Sequence, residues 1–199
     1  MSGRLILAYG GSGSGKSAWA EQTLLSQAAR TPGGRAVYLA AMESSGPEAA
    51  ERIRRHRAMR ARHGAEAGLN FVTMERPTGI GGAPVRPGDF VLLEDLGNLL
   101  ANEIWSPTGS GPENAPAHIL KGVSTLLERV ELLLIVSIDI FSDGIRYDES
   151  TMAYIRRLAI LHRALSAKAE QTIEVVCGIP LYRPGESAPP KRQEPSAAT

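Results

Sequence analysis

Short apolar runs alternate along this chain with longer segments in which apolar residues recur at helical spacing. Runs that are apolar at consecutive positions are typical of strands buried on both faces of a sheet. Such runs occupy residues 4–9, 35–40, 69–74, 90–94, 132–138 and 172–179. The helical patterns follow the first run to about residue 29 and then cover residues 48–62, 96–105, 118–130 and 150–169. This alternation predicts an α/β fold with a mostly parallel sheet flanked by helices.

The polar segments between these elements indicate how the chain is divided. Residues 77–89, 106–117 and 142–150 are rich in turn-forming residues and are predicted to be loops. A chain of 199 residues is long enough for one sizeable core, so residues 1–182 are predicted to form a single domain. Residues 183–199 lack large apolar side chains and are predicted to be a disordered tail.

Net charge, cysteine content and hydropathy limit the partners and the compartment that this protein could have. The formal net charge is only +1, which argues against nucleic acid and anionic membranes as partners. Cys177 is the one cysteine and stands in the apolar run IEVVCGIPL, so it is predicted to be a small buried side chain without a disulfide. No apolar run has membrane-spanning length, and no signal-peptide pattern is present. These features predict a cytoplasmic protein.

The sequence GGSGSGKS lies between the first predicted strand and a predicted helix, which is the setting of a phosphate-binding P-loop. Glycines let several backbone N–H groups turn toward one anion, and the helix N-terminus adds positive potential. The lysine brings a cation to the β- and γ-phosphates, and the serine hydroxyl is a ligand for Mg²⁺. The pattern predicts a P-loop NTPase-like (RecA-like) fold that binds a nucleoside triphosphate, without indicating the base. The predicted cradle consists of Gly10, Gly11, Ser12, Gly13, Ser14, Gly15, Lys16 and Ser17.

Two acids close the fourth apolar run, in the sequence FVLLEDLGN. An acid at the tip of a strand next to a P-loop can hold Mg²⁺ or its water, so Glu94 is predicted to share the metal with Ser17. Asp95 has two open interpretations, a second acid of this kind or the N-cap of the helix that follows.

A single histidine stands among arginines in ERIRRHRAMR, residues 51–60. Neighbouring cations disfavour a charged imidazole, so His56 is predicted to stay neutral and nucleophilic near neutral pH. The arginines would hold a triphosphate, and together they suit attack on an α-phosphorus to give a nucleotidyl-histidine. The residues alone leave open a solvated helix face, nucleic-acid binding, and His63 as the nucleophile instead.

The order of motifs resembles the bifunctional adenosylcobinamide kinase / adenosylcobinamide-phosphate guanylyltransferase family of cobalamin biosynthesis. The most discriminating of these motifs is RIRRHRAMR, which is similar to the family's R-I-x-x-H-[RK]-x-x-R stretch. The resemblance covers about residues 4–181, and its other motifs are GGSGSGKS, VYLAAM, FVTME, LLEDLGNLLANEI and VVCGIPL.

The resemblance implies specific roles for residues of this chain. It implies that His56 is the guanylylated residue and that Lys16 takes part in catalysis. It also implies Mg²⁺ as cofactor, ATP or GTP as phosphoryl donor, GTP as guanylyl donor, cobinamide as acceptor, and a homotrimeric assembly. The residues that it places at the nucleotide, in addition to the cradle, are Ala40, Ala41, Met42, Arg57, Ala58, Met59, Arg60, Glu75 and Glu94.

The chain departs from the family pattern in the region expected to line the corrinoid site. After the fifth strand, VSIDIFSDGIRYD replaces an Asn-Glu pair and a G-x-G-I-V-P type loop, with Asp139 in place of the Glu. His162-Arg163 stands where the family tends to carry Asn-Gln, and Phe71 stands in place of a Trp. Asp139 and Glu94 are both candidates for the base that accepts the alcohol proton. The alternatives to a bifunctional enzyme are a relative with one activity and a non-catalytic GTP-binding switch.

Overall fold

The computed structural model describes residues 3–42, 54, 58, 60–141, 144–145 and 147–182. Strands and helices alternate along the chain. The strands are β1 (Arg4–Gly10), β2 (Ala36–Ala40), β3 (Val72–Glu75), β4 (Phe90–Glu94), β5 (Leu132–Ile138), β6 (Gln171–Val176) and β7 (Ile179–Leu181). The helices are α1 (Lys16–Arg30), α2 (residues 60–67), α3 (Leu96–Trp105), α4 (Ala115–Leu127) and α5 (Glu149–Lys168), with a 3₁₀ turn at Ile80–Gly82.

The seven strands form one sheet in the order β3-β2-β4-β5-β1-β6-β7. Every neighbouring pair is parallel except β6 and β7, which form an antiparallel hairpin at one edge. The predicted α/β class with a mostly parallel sheet is confirmed. Because the carboxyl ends of parallel strands lie at one edge, the segments that follow β1, β2, β3, β4 and β5 meet there, as ligand-binding loops do in open α/β sheets.

Two apolar clusters cover the two faces of the sheet. One face packs against α1, through Ala20, Leu24 and Leu25. The other face packs against α3, α4 and α5, where Leu99 and Leu161 are fully buried. The central strand β5 is buried over six successive positions, because it receives side chains from both layers. The rigid centre of the sheet therefore supports the loops at its carboxyl edge.

The last predicted strand is wrong as a single element. It is two strands, joined by a turn at Cys177 and Gly178 with positive φ angles of 49° and 80°. Two central residues with positive φ are what a tight hairpin turn of the primed type requires. Cys177 is therefore exposed, and its predicted burial is also wrong. The apolar pattern concealed the turn because Cys and Ile flank the one glycine.

Other predicted boundaries are shifted by a few residues. The helix predicted to end at residue 62 continues to residue 67 and ends at Gly68, whose φ of 68° suits a glycine after a helix. The helix predicted from residue 118 begins at Ala115, with a proline in its first turn. The strand predicted at 69–74 is Val72–Glu75. Residues 183–199, predicted to be disordered, lie outside the described residues.

In the part of the chain that the structure describes, no helix combines the length and the apolar character needed to cross a membrane.

Candidate active site

The glycine-rich loop leaves β1 at the carboxyl edge of the sheet and enters α1. Gly13 and Gly15 have φ angles of 71° and 86°, which L side chains rarely adopt. A Cβ on Gly10 would lie 2.4 Å from the carbonyl oxygen of Val175, so the close packing of the loop on β6 also requires glycine. No acidic residue occupies the first turn of α1. The positive end of this helix thus remains available for an anion.

The turn between β6 and β7 packs against this loop. The Gly178 N–H donates to the Ser14 carbonyl oxygen at 2.7 Å. A Cβ on Gly15 would lie 2.9 Å from the Gly178 Cα. The backbones of the hairpin turn and of the phosphate loop are therefore in direct contact, and no motif in the sequence predicts this contact.

Ser17 and Glu94 meet as the sequence predicted. The Ser17 hydroxyl donates to Glu94 Oε1 at 2.6 Å. Lys16, the preceding residue, donates from Nζ to the Gly11 carbonyl oxygen at 3.1 Å, within its own loop. The helix start and the tip of β4 thus hold a hydroxyl, a carboxyl group and an amine at the edge where the loop opens.

Burial changes the acidity of Glu94. The side chain is almost completely buried, and its Oε2 atom has no hydrogen-bond partner within the described residues. Burial, with a smaller contribution from the charge of Asp95, raises the pKa of Glu94 to about 8, although the bond from Ser17 opposes this rise. A cation near Glu94 would favour its charged form.

These two side chains fit a divalent cation. A hydroxyl oxygen and a carboxylate with one unsatisfied buried oxygen are the hard ligands that Mg²⁺ takes from proteins when phosphates and water supply the others. Within the described residues no group of three or more His, Cys, Asp or Glu side chains could hold a metal ion. The site therefore fits a metal that is bound together with a nucleotide rather than by protein ligands alone.

Asp95 is the N-cap of α3. Its Oδ1 accepts from the Asn98 backbone N–H at 2.7 Å, and its Oδ2 accepts from the Asn98 side chain at 3.1 Å. Of the two interpretations left open by the sequence, the helix cap describes the contacts that this side chain makes.

Three predicted site residues form one row across neighbouring strands. Ala40 is in register with Glu94 on β4 and with Glu75 on β3. Residues in register on parallel strands face the same side of the sheet, so this row lies on the face that α1 covers. Glu75 is exposed, whereas Ala41 is buried and Met42 is half-buried just beyond the row.

Asn102 connects α3 to the segments that follow β2 and β3. Its Nδ2 donates to the carbonyl oxygens of Ala41 at 2.6 Å and of Pro77 at 3.2 Å. The next residue, Glu103, is buried and accepts from the backbone N–H groups of Gly79 and Ser110. Hydrogen bonds hold the pKa of Glu103 below its usual value although burial opposes them. Helix α3 thus fixes the loops next to the candidate nucleotide segment.

A pocket of about 470 Å³ opens beside β3, at the end of the row. Arg60 is buried at its wall, and its guanidinium lies 3.7 Å from the ring centroid of Tyr38. Arg60 and Glu75, two predicted nucleotide residues, are thus brought to one pocket. The lining residues are Arg60, Ala61, Asn70, Phe71, Thr73 and Glu75.

His63 is buried and bonded to α1. Its Nδ1 lies 2.6 Å from Glu21 Oε2, and the two side chains are only 2% and 1% exposed. This environment separates His63 from solvent, in contrast to what a nucleophile needs. Glu21 belongs to no recognisable motif, although its position four residues after Ser17 puts it on the same face of α1.

A second histidine lies on the opposite face of the sheet. His162 Nε2 is 2.7 Å from the Ser137 hydroxyl, and its ring packs edge-to-face with Tyr9 and Phe141. Burial lowers the pKa of His162, and the charge of Asp139 opposes this. The Asp139 N–H donates to the Gly10 carbonyl oxygen at 2.9 Å, so Asp139 adjoins the phosphate loop. Asp139 and His162, which depart from the family pattern, therefore lie near that loop, whereas Phe71 lines the pocket beside β3.

The remaining predicted residues belong to the arginine-rich segment. Ala58 is helical and exposed. His56, Arg57 and Met59 lie outside the described residues.

A comparison with protein-family models identifies one family. The model described as cobinamide kinase / cobinamide phosphate guanyltransferase matches residues 6–182. This span includes every described strand except the first residues of β1. A search of curated proteins found no match to the sequence.

Proposed function

The chain belongs to the cobinamide kinase / cobinamide phosphate guanyltransferase family, and from this premise we propose a two-step mechanism at the site described above. As a member, it is a kinase and guanylyltransferase of cobalamin biosynthesis, in which cobinamide is phosphorylated and its phosphate then accepts GMP. The observation that carries the proposal is the contact between Ser17 and Glu94 at 2.6 Å beside the glycine-rich loop. One phosphate cradle serves both steps.

In the first step, a hydroxyl of cobinamide attacks the γ-phosphorus of ATP or GTP, and the bond between this phosphorus and the β-bridging oxygen breaks. The loop N–H groups and Lys16 hold the phosphates, so that positioning and charge neutralisation supply most of the rate. The residues that would hold Mg²⁺ are Ser17 and Glu94, and the metal would neutralise charge on the phosphate oxygens. We assign the alcohol proton to Asp139, because its backbone adjoins the loop at Gly10, whereas the carboxyl group of Glu94 contacts Ser17 and would be engaged with Mg²⁺.

In the second step, His56 attacks the α-phosphorus of GTP and pyrophosphate leaves. The neutral imidazole attacks through its unprotonated nitrogen, and a phosphate oxygen of cobinamide phosphate then displaces the histidine from the α-phosphorus, which restores the neutral imidazole and completes the transfer of GMP. The burial of His63 against Glu21 favours His56 over His63 as the nucleophile. Arg60 supports a nucleotide role for the pocket beside β3, because a buried guanidinium faces the same pocket as Glu75.

The assembly and compartment follow from the same proposal. A homotrimer is implied by the resemblance, and the cytoplasm would supply the nucleoside triphosphates. The single Cys177 fits a compartment in which thiols stay reduced.

The proposal is tested with GTP that carries a labelled α-phosphate. The wild-type protein is expected to take up label that is lost in acid and stable in base, as a phosphoramidate is. His56→Ala should lose the label but keep phosphorylation of cobinamide, measured by mass analysis of the corrinoid. Lys16→Ala should lose both reactions, because the shared cradle no longer neutralises the phosphates.

His63→Gln tests the alternative nucleophile, since this position lies seven residues from His56 and a glutamine keeps a donor for Glu21 but cannot be guanylylated. Label that disappears in His63→Gln but persists in His56→Ala would refute the assignment. Wild-type protein that binds GTP tightly without taking up label would favour a GTP-dependent switch.

A further inference from the structure

Glu21 and His63 form a buried contact between α1 and α2 that the two proposed steps do not use. His63 Nδ1 lies 2.6 Å from Glu21 Oε2, which is the distance of a strong charge-assisted hydrogen bond. The other oxygen of Glu21 is buried and has no hydrogen-bond partner within the described residues. Burial raises the pKa of Glu21, whereas the bond and charge of His63 and the charge of Arg60 lower it. Each partner is therefore costly to bury without the other.

The contact is placed between the two parts of the candidate site. On α1, Glu21 stands one helical turn after Ser17, whose hydroxyl donates to Glu94. On α2, His63 stands nearly one turn after Arg60, whose guanidinium lies over the ring of Tyr38. Helix α2 is thus fixed at two points, one on the phosphate-loop helix and one on β2.

Two fixed points define both the distance of a helix from its neighbour and its rotation. His56 is seven residues before His63 and four before Arg60 in the sequence. Residue 56 itself lies outside the described residues. The contacts at Arg60 and His63 fix the described part of α2 against β2 and α1.

We propose that Glu21 and His63 are positioning residues for guanylyl transfer, because their buried contact fixes α2, which follows the nucleophile in the sequence, against the helix of the phosphate loop. The inference rests on the proposed function, since it presupposes that His56 is the nucleophile. It predicts an effect on one step only. Phosphorylation of cobinamide needs the loop and the acceptor, but it does not need the arginine-rich segment to point at an α-phosphorus.

The test compares both reactions in Glu21→Ala and His63→Ala with the full-length protein. The initial rate of protein labelling from α-labelled GTP is expected to fall about tenfold or more, since misplacing a reacting group by an ångström is enough for such a loss. The rate of cobinamide phosphorylation and the KM for the donor should stay within about threefold of wild type. The double variant should lose no more labelling rate than the more affected single variant, because both act through one contact.

Two further variants separate positioning from loss of folding. Glu21→Gln keeps an oxygen that can accept from His63, so it should retain more labelling activity than Glu21→Ala. Arg62→Ala removes an exposed ion pair with Glu66 from the same helix and should label as wild type does. Thermal unfolding of each variant shows whether it is folded at the assay temperature.

The outcomes distinguish the inference from the proposed function. Labelling that stays at the wild-type rate in folded Glu21→Ala, or a parallel fall of both reactions, overturns the positioning role. Absence of label from the wild-type protein, or label that survives in His56→Ala, overturns the proposed function and the inference with it.

Discussion

The carboxyl group of Glu94 shows how the fold changes the chemistry of one side chain. Its place after an apolar strand next to a P-loop predicted a metal-holding acid, and the contact with Ser17 is present. Its acidity could not be predicted from the sequence. The pKa of about 8 arises because β4 is covered on both faces and removes this group from water.

This acidity gives a pH dependence of stability in the absence of metal and nucleotide. Between the ordinary pKa of 4.5 and about 8, the folded protein keeps the Glu94 proton that the unfolded chain loses. The free energy of unfolding contributed by this group should therefore be greatest below pH 4.5 and fall as the pH rises to about 8. Each tenfold difference in proton affinity corresponds to about 1.4 kcal/mol.

Urea unfolding of Glu94→Gln at several pH values, with a chelator present, checks this expectation. The variant should be less dependent on pH than wild type across the window and more stable than wild type at its alkaline end. Glu128→Gln, at an exposed position, is the control and should keep the wild-type slope. An identical slope in Glu94→Gln would contradict the raised pKa.

At the scale of elements, α3 organises the carboxyl edge of the sheet. The helix itself was predicted from its apolar spacing, and its bounds match the prediction. The helix also holds the segments after β2 and β3 through hydrogen bonds from Asn102. These bonds go to carbonyl groups that are 61 and 25 residues away in sequence. A local pattern cannot reveal contacts of this kind.

Replacement of Asn102 tests that role. Asn102→Asp keeps the size of the side chain but places oxygens against two carbonyl groups, and Asn102→Ala removes the donor. Either change should lower the free energy of unfolding by about 1–3 kcal/mol, the cost of leaving buried polar groups without partners. GTP affinity should fall as well, because the Ala40–Met42 segment loses its support.

Calorimetric titration of GTP and denaturant unfolding measure the two effects. Asn98→Ala, four residues earlier on α3, removes a side-chain bond to Asp95 only and should leave GTP affinity near the wild-type value. A folded Asn102→Ala protein with wild-type affinity for GTP would show that the Ala40–Met42 segment does not depend on the hydrogen bond from Asn102.

At the scale of the whole molecule, one seven-stranded sheet with an apolar cluster on each face unites the described elements. No described strand belongs to a second sheet. Strand β5 contributes to both clusters, which couples the layers. We therefore expect the domain to unfold in one cooperative transition.

Deletion of residues 183–199 tests the predicted domain boundary. The sequence GESAPPKRQEPSAAT offers no large apolar side chain to a core, so the truncated protein should keep its melting temperature to within about 2 °C. Both reactions should also persist. A large loss of stability, measured by thermal unfolding monitored by circular dichroism, would place the boundary later in the chain.

The sequence by itself determined the α/β class, the phosphate loop and the family, and it singled out Ser17 and Glu94 as metal ligands. Each of these depends on a local pattern, because hydrophobic periodicity and the spacing of GGSGSGKS and RIRRHRAMR are properties of contiguous residues. Only the tertiary structure decided that Cys177 is exposed, that Gly178 supports the phosphate loop, and that His63 is bonded to Glu21. These features depend on which distant segments pack together, and burial then sets the charge and accessibility of each group.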